Sequence, residues 1–573
     1  MERRNSKTKV AEMLFVIITI LLLIYRVTLH ADIYDEIINI GTSYRIARGD
    51  VPFYNCWEAF QSGDIFLAPF IWLYLKIFKT TSGLVLFSRL LYLAILFLLV
   101  GATYLLFSKY LEKKQAFFVS YVVLFFELYS LFYLWYDTIS VILLLLGDIL
   151  IIRSMESGKT WIKRWMLALA GIVHCAMVFA YPSFILVALV MAIIIMLLDY
   201  KNYRNSMIRA VASVFFYALG ALVDIICLIL YFHFSSGLRN VFDVLSIITG
   251  TRGANGVSIL DIFRDIVVAY VSVNKFLIPV TIVCLILYFI SLKNEKMLTV
   301  YLATIVVLPA FNQIFIEKNS LMGLANYLSY IAFWCPFLFY VVKEKSKFDL
   351  ALLWVFYVPS VVSLFAISLT TVYADIGPVK CWQACLPAAL ATLYFFCKIW
   401  RQGTKRKQQW SIVIMAFVSV VLLVNSYSYI YLNQPYIKKS DKRITDGLYW
   451  GIKVNSNMEI MPELQWWLKT VTEDCESITI GARLRPAYLM TDLQPMTWSI
   501  ESPWYRKDGK VCWDREIKYY EYFDEYPDAI CVESDEIENT EIQEILEDKY
   551  SLRENRMIGD YDIYLYVLKD KMQ

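Results

Sequence analysis

The chain carries a succession of apolar runs, each near the roughly 20 residues that cross a bilayer as one helix. This feature decides most of what it can fold into. With 59% hydrophobic residues among 573, the chain is too apolar for an ordinary soluble domain. A net charge of +3 is too small to suggest a nucleic-acid partner, and the distribution of charge matters more than its sum. The eleven cysteines lack paired metal-binding spacing, and three histidines leave little for imidazole ligation.

Lys and Arg accumulate in short loops that stay in the cytoplasm, so they orient the runs. Arg3, Arg4, Lys7 and Lys9 precede the first run, from Val10 to Leu29, which lacks a small-residue cleavage site and reads as a retained anchor. Further spans are expected at about 84–107, 116–133 and 138–152, two within 165–198, then 210–232, 273–292, 298–316, 324–342, 350–369, 385–400 and 411–432. The segment 165–198 is too long for one crossing, and Tyr181-Pro182-Ser183 supplies its turn, because proline disfavours helix in the residue before it. Alternate connections are basic, as at Lys109, Lys113 and Lys114, or Lys343, Lys345 and Lys347.

The expectation is a polytopic α-helical membrane protein of about 13 transmembrane helices in the plasma membrane, with a cytoplasmic N-terminus. Residues 1–432 form the transmembrane module, with long outer loops at 30–82 and 234–271. From Asn433 the composition turns charged and aromatic, and 433–573 reads as an extracytoplasmic soluble α/β domain. Strands are expected at Ser477 to Gly481, Ala529 to Glu533 and Ile563 to Leu568, and helices at Pro462 to Val471 and Ile537 to Leu546. Cys475, Cys512 and Cys531 could pair outside the cytoplasm, but their spacing gives no connectivity.

Asp32, Asp35 and Glu36 fall within five residues where the chain leaves the first span. Carboxylates at the edge of hydrocarbon are costly unless they face water, a cation or a polar site. As local structure they form an acidic helix start, with the helix stopping at Gly49-Asp50-Val51-Pro52. That does not account for the length of the polar stretch, or for Trp57, Glu58, Gln61 and Asp64 farther along it.

The acidic pair after an N-terminal span, followed by Ala47-x-Gly49-x-x-Pro52-Phe53-Tyr54 and an aromatic run, resembles the C-type membrane glycosyltransferases. Within them it is similar to the protein O-mannosyltransferase and lipid A aminoarabinose transferase group. Weaker echoes lie at Asp137 and Tyr181-Pro182-Ser183. The resemblance implies inverting transfer of a sugar from a polyprenyl-phosphate carrier to a lipid, glycan or protein acceptor at the outer face. Asp35 matches the catalytic acidic position best, with Glu36 beside it and Asp32 as a local alternative. A carboxylate suits a general base for a hydroxyl acceptor, and a phosphate leaving group calls for positive charge or a divalent cation.

Asp137, in a short turn before a span, is a second acid; the resemblance implies a metal held by Asp35 and Asp137, while its place also suits an N-cap. Arg239, Arg252, Arg264 and Lys380 are candidates for the donor phosphate, since guanidinium and ammonium groups bind phosphate oxygens. The arginines also have Asp243, Asp261 and Asp265 near enough for ordinary surface pairs. Tyr54, Trp57 and Asp64 are candidates for contact with sugar or acceptor, though interfacial aromatics also anchor proteins in membranes. The rival functions are a transporter or flippase of lipid-linked saccharides, which would show repeats and charged residues in mid-span, and a polymerase. No convincing repeat is present, and the ionisable residues in or near spans are mainly Glu127, Asp148 and Asp224.

Overall fold

The computed structural model describes all residues except 1, 59–60, 127–131, 203–205, 252–258, 274, 316–322, 369–383, 428–441, 455–457, 506–510, 539 and 572–573. Among the described residues eight helices are long and apolar enough to cross a membrane, which marks the chain as a membrane protein. The N-terminal half comprises α1 (Glu2–Val27), α2 (Asp35–Arg48), α3 (Gln61–Asp64), α4 (Ala68–Phe78), α5 (Leu84–Phe107), α6 (Lys113–Tyr121), α7 (Tyr136–Glu156), α8 (Thr160–Ala180), α9 (Ile185–Asn202) and α10 (Met207–Ser235).

The reversal expected at Tyr181 is present. Tyr181 is extended, and Pro182 opens a single 3₁₀ turn, Pro182–Phe184, that feeds α9. Proline at the first helical position loses no bond there, because that N–H has no partner within the helix. The α7 span is the most enclosed of the eight. Beside it, α8 and α10 approach closely through paired glycines. A Cβ on Gly171 would stand 1.9 Å from the Tyr217 carbonyl oxygen, and one on Gly220 1.9 Å from that of Ala168. Small residues at such a crossing let backbones pack where no water drives association.

Two expected spans and both long loops take another form. The stretch 116–133 is not one helix: α6 ends at Tyr121, a 3₁₀ turn covers Val122–Phe125, and 132–135 lie outside any helix. The stretch 324–342 breaks into Gly323–Phe333 and Cys335–Val341, with Pro336 in the first turn of the second piece. Neither 234–271 nor 30–82 is a plain loop. The first contains helices Leu238–Thr251 and Ile259–Val273, and the second contains α2, α3 and α4. Apolar residues at helical spacing, such as Val241 and Val244, which are both buried, explain the helix in a segment whose overall composition reads as polar.

The C-terminal region holds a five-stranded mixed sheet in the order Gln494–Pro495, Ser477–Ile480, Ala529–Glu533, Tyr561–Leu568, Tyr550–Ile558. The first three strands are parallel, and the last two form an antiparallel hairpin turned at Gly559, whose φ of 60° suits glycine. Helix Met461–Val471 matches its expected position, whereas the second helix is Ile542–Lys549, after a 3₁₀ turn at Ser534–Glu536. Cys475, Cys512 and Cys531 are not joined by disulfides among the described residues. The boundary expected near 432 lies outside the described residues.

This region is fastened to the start of the chain. Lys453 N donates to Thr28 O at 2.7 Å and His30 N to Lys453 O at 2.8 Å; Trp57 N donates to Trp498 O at 2.9 Å and Gly83 N to Gly447 O at 3.0 Å. The acidic segment is therefore closed between helices on one side and the sheet region on the other.

Candidate functional site

The three acids that open α2 have three different environments. Asp32 precedes the helix and acts as its cap, accepting from Glu36 N at 2.7 Å and Tyr34 N at 3.1 Å. Burial pushes its carboxyl up to about 7, and the nearby Asp35 carboxylate adds to the rise. Glu36 is fully buried and takes a two-pronged bond from Arg89 of α5, at 2.6 Å and 2.5 Å. Arg89 also donates to the carbonyls of Val27, Leu29 and His30, so it ties the end of α1 to α2. Asp35 alone among the three is only part-buried.

One turn farther along α2, Asn39 faces the same way as Asp35, since residues four apart share a helix face. Its amide nitrogen donates to Asp64 Oδ1 at 2.6 Å, and Ser43 Oγ donates to the Asp64 carbonyl at 3.1 Å. Asp64 is fully buried, and burial together with the neighbouring Glu58 raises its carboxyl well above the ordinary range. The short α3 that carries Asp64 presses on the first turn of α7. A Cβ on Gly63 would lie 2.6 Å from Tyr136 Cα, so only glycine allows this approach. Ser62 Oγ donates to Ala180 O at 3.4 Å, and Tyr136 meets Tyr181 edge to face at 5.0 Å.

The fold thus gathers the acidic start of α2, Asp64, the Tyr136-Asp137 turn and the Tyr181-Pro182 turn, which are far apart in sequence. Asp137 is 1% exposed. It is not the N-cap that its sequence position suggests: Trp135 occupies that place, and its N–H bonds Thr138 Oγ1 at 2.9 Å. Asp137 sits inside the first turn, with Oδ1 accepting from Thr138 N at 2.7 Å. Among the described residues no group of three or more His, Cys, Asp or Glu side chains could hold a metal.

Other candidates have structural occupations. Trp57 is 4% exposed, donates through Nε1 to Tyr54 O at 2.6 Å, and packs edge-on against Tyr519 and Tyr522. It belongs to the contact with the C-terminal region rather than to an open sugar platform. Tyr54 remains exposed beside Phe523. Arg239 and Arg264 are exposed and lie beside Asp243, at 3.8 Å, and Asp261, at 3.2 Å, each within its own helix. These are the ordinary pairs that their spacing allowed. Arg252 and Lys380 lie outside the described residues.

Arg89 and Asn39 are the residues that sequence reasoning missed, while Glu58 is noted there without a role. Glu58 accepts a short bond from Ser499 Oγ, and buried Asp50 is held by Arg45 at 2.6 Å. A lone arginine at the start of an otherwise apolar run is a signal for Arg89, because an ionisable residue within a span needs a partner.

Fold and site together define a multi-helix membrane protein whose first connection gathers buried acids beneath a C-terminal sheet region. Compared with family models and with curated proteins, the chain matches none.

Proposed function

We propose that the chain is a C-type membrane glycosyltransferase of about 13 spans. It moves a sugar from a polyprenyl-phosphate carrier to a hydroxyl acceptor at the outer face of the plasma membrane, with an extracytoplasmic C-terminal α/β domain. The observation that carries this reading is the placing of the acids: Asp32 accepts from the helix N–H of Glu36, Glu36 is buried in an ion pair with Arg89, and Asp35 is part-buried in the first turn of α2, on the face that Asn39 and Asp64 share. In the reaction the acceptor O–H gives its proton to Asp35 while its oxygen attacks the anomeric carbon. The bond from that carbon to the carrier phosphate oxygen breaks, leaving polyprenyl phosphate and the inverted glycoside. A positioned base contributes about 10²- to 10⁴-fold. Incubation of purified protein with radiolabelled polyprenyl-phosphate sugars, with and without a chelator, tests the reading; no transfer from any donor to lipid, glycan or peptide acceptors overturns it.

A transporter of lipid-linked saccharides is the second reading, favoured by one observation. Asp148 of α7 and His174 of α8 are fully buried inside spans, 3.8 Å apart, and His174 Nδ1 lies 2.9 Å from the Tyr217 hydroxyl. Buried ionisable groups in spans often mark a translocation path. Transbilayer movement of a fluorescent polyprenyl-phosphate sugar in proteoliposomes, abolished by Asp148→Asn, would support it over transfer.

A further inference from the structure

A cleft of about 670 Å³ opens between the last turn of α2 and the end of α4, a size that suits a headgroup or small ligand. Three cations line it: Arg48, Lys76 and Lys79. All three are exposed, and among the described residues none of them forms an ion pair. The one carboxylate in the lining, Asp492, pairs with Lys469 at 2.9 Å. Arg48 spends one nitrogen on Tyr44 Oη and the Asp492 carbonyl, both at 2.8 Å. Thr81, also in the lining, is 2% exposed and its hydroxyl has no hydrogen-bond partner. Cations at the C-terminal ends of α2 and α4 complement the helix dipoles, which accounts for one charge at each end. It does not account for a third, or for the unpartnered buried hydroxyl.

The helix that carries Lys76 is also apolar and open, and Lys76 Nζ lies 5.7 Å from the centre of the Trp72 ring. Trp72, at 49% exposed, lines the cleft, and Phe70, Leu73, Ile77 and Phe78 of the same short helix are also exposed. So many large apolar side chains on one eleven-residue helix form a surface that hydrocarbon covers more favourably than water. The cleft therefore sets three cations, none in an ion pair among the described residues, beside a helix whose outer side chains suit hydrocarbon; Arg48 and Lys76 lie over the rings of Tyr44 and Trp72.

We propose that this cleft binds the phosphate headgroup of a membrane lipid, with Arg48, Lys76 and Lys79 on the phosphate oxygens and the acyl or prenyl chain along α4. The inference rests on the membrane placement used above, and not on sugar transfer. The phosphate could belong to a polyprenyl carrier or to a bulk phospholipid, and the chemistry at the headgroup is the same.

Equilibrium binding to the full chain in phosphatidylcholine nanodiscs tests the site without any sugar, so its outcome is independent of turnover. The probes are undecaprenyl phosphate, phosphatidylglycerol and inorganic phosphate. The expected result is saturable binding of one or both lipids, weakened about tenfold or more in Lys76→Gln/Lys79→Gln, with Lys113→Gln/Lys114→Gln as a charge-matched control that binds as wild type. Undecaprenyl phosphate favoured over phosphatidylglycerol would assign the carrier; equal binding would assign lipid phosphate in general. Arg48→Lys, which keeps charge but loses the two-pronged geometry, should fall between wild type and the double variant. Unchanged lipid affinity in a folded double variant, or inorganic phosphate binding as tightly as either lipid, would overturn the proposal.

Discussion

Three carboxylates within five residues look interchangeable in sequence, yet burial separates them. Asp32 is sealed and caps, Glu36 is sealed and paired, and Asp35 is part-buried. That an acidic cluster opens a helix was legible from spacing alone. Which acid does what was not, because the deciding partner of Glu36 is Arg89, 53 positions along the chain. Glu516 carries a residue-scale prediction: burial pushes its carboxyl from 4.5 up to about 7. A carboxyl raised on folding contributes stability that is fully present below about 4.5 and lost as pH rises through about 7, since the folded state binds the extra proton in that window. Thermal unfolding of wild type and Glu516→Gln from pH 4.5 to 8 should show the variant losing less stability over that range. Parallel curves would contradict the assignment.

At the scale of elements, apolar run length located most spans, and Pro182 located the reversal between α8 and α9. Run length failed where a helix gives way to a 3₁₀ turn, as after Tyr121, or is broken beside a proline, as at Trp334-Cys335-Pro336. It also failed where a mixed segment is helical with an apolar stripe, as in Leu238–Thr251. The α1–α2–α5 junction depends on the Arg89–Glu36 pair, and breaking a buried pair leaves an uncompensated charge that costs about 3–5 kcal/mol. Glu36→Gln should therefore lower the unfolding midpoint of detergent-purified protein by several degrees while leaving turnover per folded molecule close to wild type. A stable but inactive Glu36→Gln protein would move Glu36 from structure into chemistry.

For the molecule as a whole, the acidic connection and the C-terminal sheet region form one body, joined through Lys453, Trp498 and Tyr519, whose hydroxyl donates to Asn55 O at 2.6 Å. The proposed orientation puts this body outside the cell. In a cysteine-free background, a cysteine replacing exposed Glu521 should react with a membrane-impermeant thiol reagent on intact cells, while one replacing exposed Glu344 should not; the reverse pattern would move the acids to the cytoplasm. The composition shift near Asn433 points to a charged, aromatic C-terminal stretch, but nothing in the sequence revealed that its sheet would close over the first connection, since those contacts join residues some 400 positions apart. The central claim is that Asp35 is the base for sugar transfer, and Asp35→Asn tests it most directly, because the amide keeps size and hydrogen bonding but loses basicity. Turnover with a polyprenyl-phosphate sugar and thermal stability should be measured on the same purified sample. Turnover should fall by roughly 10² or more with an unfolding midpoint near wild type, and full specific activity in a folded Asp35→Asn protein would rule out Asp35 as the base.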